Sequence, residues 1–222
     1  DYNAEKPRYD IDLFERNGWE PRNVNYTDYR SLIWSDGDDK RLTRQQVLDL
    51  TRFLTTDNAT DKKNLIVASQ EFTRMNTDTT VNEVRASKVD YLYLVNDLMR
   101  NAYTTRTGTN NPADKTNADV VGATICKYLT TKLITTTWNN GTIADAQPLC
   151  VNTDIYSNNL GVAQPAFYFT QPSAAAANQR IMGVSTITQR TNVVTLGVDW
   201  RHFLNAEFVF RGIIDFIEQT GT

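Results

Sequence analysis

The sequence predicts an α/β fold with a mainly parallel sheet and helices on both faces, and three observations support this. Short runs of consecutive apolar residues recur along the chain and are typical of strands that are buried on both faces of a sheet. Segments with apolar residues at helical spacing alternate with these runs, which favours parallel strands joined by helices. In the stretch 192–219, the apolar run Val193–Val198, a polar-aromatic turn and a helical pattern follow one another.

The composition limits the kind of protein. A chain of 222 residues, 40% of them hydrophobic, can bury a core, and we expect one domain over residues 1–222 in which residues 104–163 form an insertion. The net charge of −3 argues against a nucleic-acid or anionic membrane surface. No apolar run approaches the ~20 residues that span a bilayer. The sequence starts without methionine or signal peptide, so we expect a processed product or a segment of a larger polypeptide.

Residue usage favours an exported protein. Thirty threonines and twenty-one asparagines give a polar composition that is common among secreted proteins. The two cysteines are Cys126 and Cys150. In an exported chain such a pair suggests a disulfide, worth about 3–4 kcal/mol in the chain-entropy model, whereas two unrelated buried thiols are the alternative. We therefore predict an extracellular or cell-surface location and a Cys126–Cys150 disulfide.

The first elements in chain order are short. The pattern of Tyr9–Asn17 predicts a helix, which Gly18 ends. Glu20–Tyr26 has a strand pattern of moderate strength. Ser31–Trp34 predicts a buried strand, which stops at a turn-rich acidic loop.

A helix, a strand and a second helix are predicted next. Thr43 is placed to cap the first helix, with Gln46 in the third position of a capping box. The apolar face of this helix consists of Val47, Leu50, Phe53 and Leu54. Asn64–Ala68 predicts the second buried strand, and Val81–Tyr103 has a helical pattern throughout.

The remaining elements follow the polar loop that starts at residue 104. Within the predicted insertion, Leu133–Trp138 suggests a short strand, and Ala166–Thr170 predicts a short aromatic strand. Met182–Thr188 and Asn192–Val198 predict two adjacent strands joined by a polar turn. Asn205 is expected to cap the last helix. Its apolar positions are Phe208, Val209, Ile213, Ile214, Phe216 and Ile217.

The order of these segments resembles the class I glutamine amidotransferase-like fold. Leu42–Leu54 and Leu65–Gln70 are similar to the LTxxxxxxLxxFL helix and the xLxLSGQ strand of a non-catalytic version, which occurs as a module of large secreted bacterial proteins. The likeness spans residues 9–103 and 180–220. It implies a flavodoxin-type α/β fold and a structural or interaction role.

Two expected sites of that family bear on catalysis. Catalytic members carry a nucleophilic cysteine after the strand matched here by Asn64–Ala68 and a histidine after the last strand. This chain has Ser69 at the first place, without the glycines of a nucleophile elbow, and His202 near the second. A Ser69–His202 pair oriented by Glu71 or Asp199 would suit a serine-dependent hydrolase or amidase-like enzyme. A single histidine beside an aromatic turn is more often structural, so our first expectation is no catalytic set.

Ligands of open α/β sheets bind outside the carboxyl ends of the strands. The residues expected there as binding candidates are Gln70, Asp199 and Trp200. The acidic loop after the first buried strand could bind Ca²⁺, although a solvated turn before a helix explains the same residues. Its candidate ligands are Asp36, Asp38 and Asp39. A calcium-assisted glycan-binding module that uses Trp200 is thus a third hypothesis, and we otherwise expect no cofactor.

The predicted helix at Tyr9–Asn17 has no apolar strand before it. Folds of the amidotransferase-like type place such a strand in the middle of the sheet, so the sequence predicts that the first central strand is missing from this chain. Unpaired backbone groups on both sides of an open slot would be costly. We therefore expect that another protein chain, or an upstream segment of the same precursor, supplies a β-strand.

Overall fold

The α/β class is confirmed by a mixed β-sheet flanked by three helices. The computed structural model describes residues 24–35, 42, 44–56, 62–69, 72, 88–103, 119–122, 130–132, 149–151, 162–170, 180–197, 199–200 and 203–220. The helices are α1 (Arg44–Thr55), α2 (Lys88–Leu92), which continues as a π-helix (Tyr93–Leu98), and α3 (Ala206–Thr220). The strands are β1 (Ser31–Ser35), β2 (Lys63–Ala68), β3 (Asn101–Tyr103), β4 (Asp119–Gly122), β5 (Thr130–Lys132), β6 (Leu149–Val151), β7 (Val162–Thr170), β8 (Arg180–Ile187) and β9 (Thr191–Leu196).

The body of the sheet is the five-strand series β1-β2-β9-β8-β7, which β4 and β5 extend beyond β7. Only the β1–β2 and β2–β9 pairs are parallel, and the other described pairs are antiparallel. The expectation of a mainly parallel sheet is therefore wrong. The physical reason lies in the connections, since the short turn between β8 and β9 forces these strands to run in opposite directions.

The predicted open slot in the middle of the sheet is also wrong for the described strands. β2 lies between β1 and β9, and β9 lies between β2 and β8. In the β2–β9 register, Leu65 is paired with Val193 and Ile66 with Val194. The backbone N–H and C=O groups of the central strands thus pair with one another, and no added strand is needed between them.

Helices cover both faces of the sheet, as predicted. On one face, alternate residues of β2 and β9 pack against α1, α2 and the π-helix. The buried side chains of this cluster include Leu65, Val67, Val193, Val47, Leu50, Phe53, Tyr91, Leu94 and Val95. On the other face the intervening residues pack against α3, in a cluster that includes Ile66, Ala68, Val194, Leu196, Val209, Ile213 and Ile217. The apolar runs of β2 and β9 are explained by this two-sided burial, because all six residues of each strand are buried.

β1 differs from the buried strand that its sequence suggested. Its residues alternate between exposed and half-buried, and Ile33 is 45% exposed. The difference follows from position, because β1 is at the edge of the sheet as described and pairs only with β2.

The helix predicted to continue to Tyr103 ends earlier. The Met99 backbone N–H donates to the carbonyl of Leu94, which closes the π-helical turn, and Arg100 then adopts a positive φ of 52°. The Thr186 hydroxyl donates to the Met99 carbonyl at 2.7 Å, and β3 follows. The helix therefore ends before the left-handed Arg100, and a hydrogen bond from β8 to Met99 accompanies this end.

The last strand and helix match the prediction closely, except at Phe208. α3 begins directly after Asn205, whose carbonyl accepts the backbone N–H groups of Phe208 and Val209. Val209 is buried, whereas Phe208 is 63% exposed. In β8, a Cβ on Gly183 would lie 2.9 Å from the Leu196 and Phe167 side chains, so a larger residue there would have to displace one of them.

Some predicted elements lie outside the described residues. They are the helix at Tyr9–Asn17, the strand at Leu133–Trp138 and the first part of the strand at Glu20–Tyr26, whose last residue instead starts a short 3-10 helix. The described parts of the predicted insertion are short strands that join the same sheet. Among the described helices, none has the length and apolar character to cross a membrane.

Candidate functional site

The carboxyl ends of β1, β2 and β9 meet at one edge of the sheet, which we call the carboxyl edge. The chain leaves β2 toward α2 on one face of the sheet and leaves β9 toward α3 on the other face. Parallel strands whose connections diverge in this way form a crevice in which open α/β sheets bind ligands. The carboxyl edge is therefore the place at which a site is expected.

A hydrogen bond between two chain segments 164 residues apart spans this edge. The Ser35 hydroxyl, at the end of β1, donates to the Asp199 carboxylate (Oδ2) at 2.9 Å. Since β1 and β9 flank β2, this bond ties together the two neighbours of the central strand. Asp199 is only 3% exposed. Its carboxylate thus holds strand ends together and is withdrawn from solvent.

Ser69 is also buried at the carboxyl edge. Its backbone N–H donates to the carbonyl of Leu196 at 3.2 Å, which ties the end of β2 to β9. Its hydroxyl accepts the backbone N–H of Phe72 at 3.2 Å. The Phe72 carbonyl in turn accepts a hydrogen bond from the Tyr91 hydroxyl. These contacts give Ser69 the role of a turn-forming residue that anchors the connection after β2.

Trp200 is half-buried beside the same edge. Its ring makes an edge-to-face contact with Phe210, with centroids 5.5 Å apart, and a tilted contact with Phe203 at 6.3 Å. Phe203 belongs to the cluster under α3, and Trp200 packs against that cluster. Trp200 therefore anchors the loop before α3, and two neighbouring aromatic rings restrict the ring area that a glycan could stack on.

Several predicted site residues cannot be compared with the structure. His202, Glu71, Gln70 and the acidic residues Asp36, Asp38 and Asp39 lie outside the described residues, as does Cys126. Cys150 lies in β6, of which only the backbone is described. In the described part of the chain, no group of three potential metal-ligating side chains comes together. The catalytic pair, the calcium site and the disulfide thus stay predictions.

The opposite ends of the parallel strands hold a row of polar side chains, buried at Asn64 and Asn192, that the sequence analysis did not single out. The Asn192 amide donates to the Asn64 side-chain carbonyl at 3.0 Å, and the Asn64 amide donates to the Ser31 hydroxyl at 3.0 Å. The Asn192 Oδ1 is buried and has no hydrogen-bond partner. Beside the row, the Lys63 ammonium donates to two backbone carbonyls of the 3-10 segment, at 2.7 and 2.6 Å. These groups help to fix the register of β1, β2 and β9. The sequence feature that could have predicted the row is an asparagine next to each of the two apolar runs.

The contribution of the Ser35–Asp199 hydrogen bond to stability can be measured. We expect Asp199→Ala to lower the free energy of unfolding by about 1–3 kcal/mol, because the hydrogen bond that this buried side chain accepts from Ser35 is lost. Ser35→Ala should have a smaller effect, and urea unfolding of both variants and of the double variant should give a coupling energy of roughly 1 kcal/mol. Additive effects of the two substitutions would contradict a direct bond between these side chains.

Compared with known protein families, curated proteins and solved structures, the chain shows no match.

Proposed function

We propose that the chain is a non-enzymatic structural or interaction domain of an exported, cell-surface protein assembly. The main support for this proposal is that the polar side chains described at the carboxyl edge form hydrogen bonds with other groups of the same domain. The Asp199 carboxylate and the Ser69 hydroxyl are both buried, and each has a partner within the domain. Groups used in this way stabilise a scaffold. The threonine- and asparagine-rich composition supports the exported location.

An exposed apolar surface next to the same edge supports an interaction role. Leu204 is 55% exposed and Phe208 is 63% exposed. Leu204 lies two residues before α3 and Phe208 lies in its first turn, both close in sequence to Trp200. Exposed aromatic and aliphatic side chains are typical anchors of protein interfaces. We call these two residues the apolar pair.

The hydrolase alternative has less support. A serine nucleophile needs access to substrate and a base within hydrogen-bond reach. Ser69 is 3% exposed, and its hydroxyl already accepts the Phe72 backbone N–H. Ser69 therefore lacks the exposure that acyl transfer requires.

The glycan-binding alternative also has less support. It needs Trp200 as an open platform near carboxylates that bind calcium. Trp200 is packed edge-to-face on Phe210, and the neighbouring Asp199 binds the Ser35 hydroxyl. A rise in melting temperature on adding calcium, lost in a Trp200→Ala variant, would favour this function over the proposed one.

The test uses the tagged chain expressed in its native source. Complexes are purified from the cell surface under native conditions, and their mass is measured by light scattering. We expect the wild type in a complex well above the 25.2 kDa of the chain. A Leu204→Ser/Phe208→Ser variant should be released from that complex, because a polar replacement removes the apolar contact. Leu48→Ser on α1, another exposed apolar residue, is the matched control and should stay bound.

Two results would overturn the proposal. One is a wild-type chain that is recovered alone from its native source. The other is an esterase or amidase activity of the purified chain that Ser69→Ala abolishes while the melting temperature is unchanged.

A further inference from the structure

The outer edge of β1 has an unusual composition for a sheet edge. None of the described strands pairs with it, and its five residues contain no charged residue and no proline. Natural edge strands generally carry such residues, which prevent other strands from adding to the sheet. The side chain at the centre of β1, Ile33, is 45% exposed. An edge of this kind is suited to pairing with another strand.

The register of β1 identifies the backbone groups that are available for pairing. The Asn64 backbone N–H donates to the carbonyl of Arg30, so the groups of residue 30 point toward β2. Backbone groups alternate in direction along a strand. The N–H and C=O groups of residues 32 and 34 therefore also face β2, and those of Ser31, Ile33 and Ser35 face outward.

These outward groups are complementary to a second copy of themselves. In an antiparallel pair centred on Ile33, each Ile33 exchanges two hydrogen bonds with its counterpart, and Ser31 of each copy exchanges two with Ser35 of the other. All six outward groups of each strand are then satisfied. On one face of the sheet Ile33 meets Ile33, and on the other Leu32 meets Trp34.

We propose that two copies of this chain associate through β1 in a two-fold symmetric, antiparallel pair that makes one continuous sheet across both. The partner is a second copy because the strand presents the same hydrogen-bonding pattern when it is read from either end, which a two-fold axis requires. This inference rests on the proposed function, for which it names one partner.

The experiment exploits the symmetry of the pair. In this register Ile33 lies against itself, so Ile33→Lys places two ammonium groups together and Ile33→Glu two carboxylates. Each variant alone should dissociate roughly tenfold more readily than the wild type. An equimolar mixture of I33K and I33E chains should associate again as a one-to-one heterodimer, because opposite charges then meet. Sedimentation velocity and native mass spectrometry over a concentration series measure both effects.

The matched control is Leu48→Lys on α1, which adds the same charge at an exposed apolar residue outside β1. It should dimerise like the wild type, at twice the 25.2 kDa of one chain. Circular dichroism and the melting temperature establish that each variant is folded. Ile33→Pro is a second blocking variant, since it removes an outward N–H and leaves the ladder to β2 intact.

A wild type that is monomeric at every concentration would overturn the inference, and would indicate that another part of the chain or a different protein covers the edge. A dimer that I33K and I33E leave unchanged, or variants that fail to associate on mixing, would also overturn it. The test uses purified chain alone, so its outcome is separate from that of the native-source experiment. A monomer in isolation that is still found in a native complex through the apolar pair would refute only the β1 pairing.

Discussion

Replacing Asn192 with aspartate is expected to lower the free energy of unfolding by roughly 3 kcal/mol or more at neutral pH. Asn192 is fully buried, and its amide donates to the Asn64 side-chain carbonyl. An ionised aspartate at this position has no N–H to donate, so its carboxylate oxygen would face the Asn64 carbonyl oxygen, and both are hydrogen-bond acceptors. It would also carry a charge in a site where Oδ1 already has no partner.

The same variant should have a characteristic pH dependence. Burial disfavours the charged form, so the pKa of the new carboxyl is raised in the folded state above its unfolded value of about 3.9. The folded protein then binds more protons than the unfolded chain above pH ~4, and the free energy of unfolding falls as the pH rises. At low pH the protonated carboxyl can donate to Asn64, so part of the loss should be recovered.

Urea unfolding from acidic to neutral pH measures this dependence. Asn205→Asp is the matched control, since the same exchange at the exposed start of α3 places a carboxylate where the helix dipole favours it. We expect that control to be neutral or slightly stabilising. Equal stability of both variants, without a pH-dependent difference, would mean that Asn192 is accessible to water.

Phe53→Ala should have an effect of similar size, about 3–5 kcal/mol, because it leaves a cavity under α1. Phe53 is fully buried among the side chains that join α1 to β2. Its ring also lies 5.4 Å from the Lys63 ammonium, which donates to the carbonyls of Thr27 and Tyr29. Removing the ring therefore weakens both the core and the surroundings of a buried charge.

Thermal and urea unfolding measure this loss. Leu48→Ala on the same helix is the control, because Leu48 is exposed and its truncation should change the free energy by no more than about 0.5 kcal/mol. Similar losses at the two positions would contradict the assignment of the inward face of α1.

Elements with two-sided or periodic burial could be predicted from the sequence. The apolar runs at Asn64–Ala68 and Val193–Val198 are typical of central strands, and the strands formed there, β2 and β9, are central in the sheet. The spacing in α1 likewise matches its buried face. The apolar run of β1 looks the same in the sequence, yet the strand lies at the edge of the described sheet. A residue pattern reports hydrophobicity and contains no direct information on which strands are neighbours.

Contacts between distant segments account for the other differences. The helix that was expected to reach Tyr103 ends near Met99, whose carbonyl accepts a hydrogen bond from Thr186, 87 positions further along the chain. At the site, Asp199 was a binding candidate from its place after a strand, but its partner Ser35 could not be inferred from spacing. Ser69 was a candidate because of its position, and the hydrogen bond that its hydroxyl accepts from the Phe72 N–H could likewise not be inferred from spacing. These roles depend on the order of strands in the sheet.

The direct pairing of β2 with β9 has a consequence for how the chain folds. The two strands are joined by residues such as Asn64 and Asn192, which are 128 positions apart. Closing a loop of that length carries an entropic term of about 4 kcal/mol before any contact is made. Such long-range pairing makes folding slow, and until it forms, the apolar residues Ile66 and Ala68, on the side of β2 toward α3, are exposed to other chains. Refolding yield should therefore fall steeply with protein concentration, and a chaperone that shields β2 should restore it.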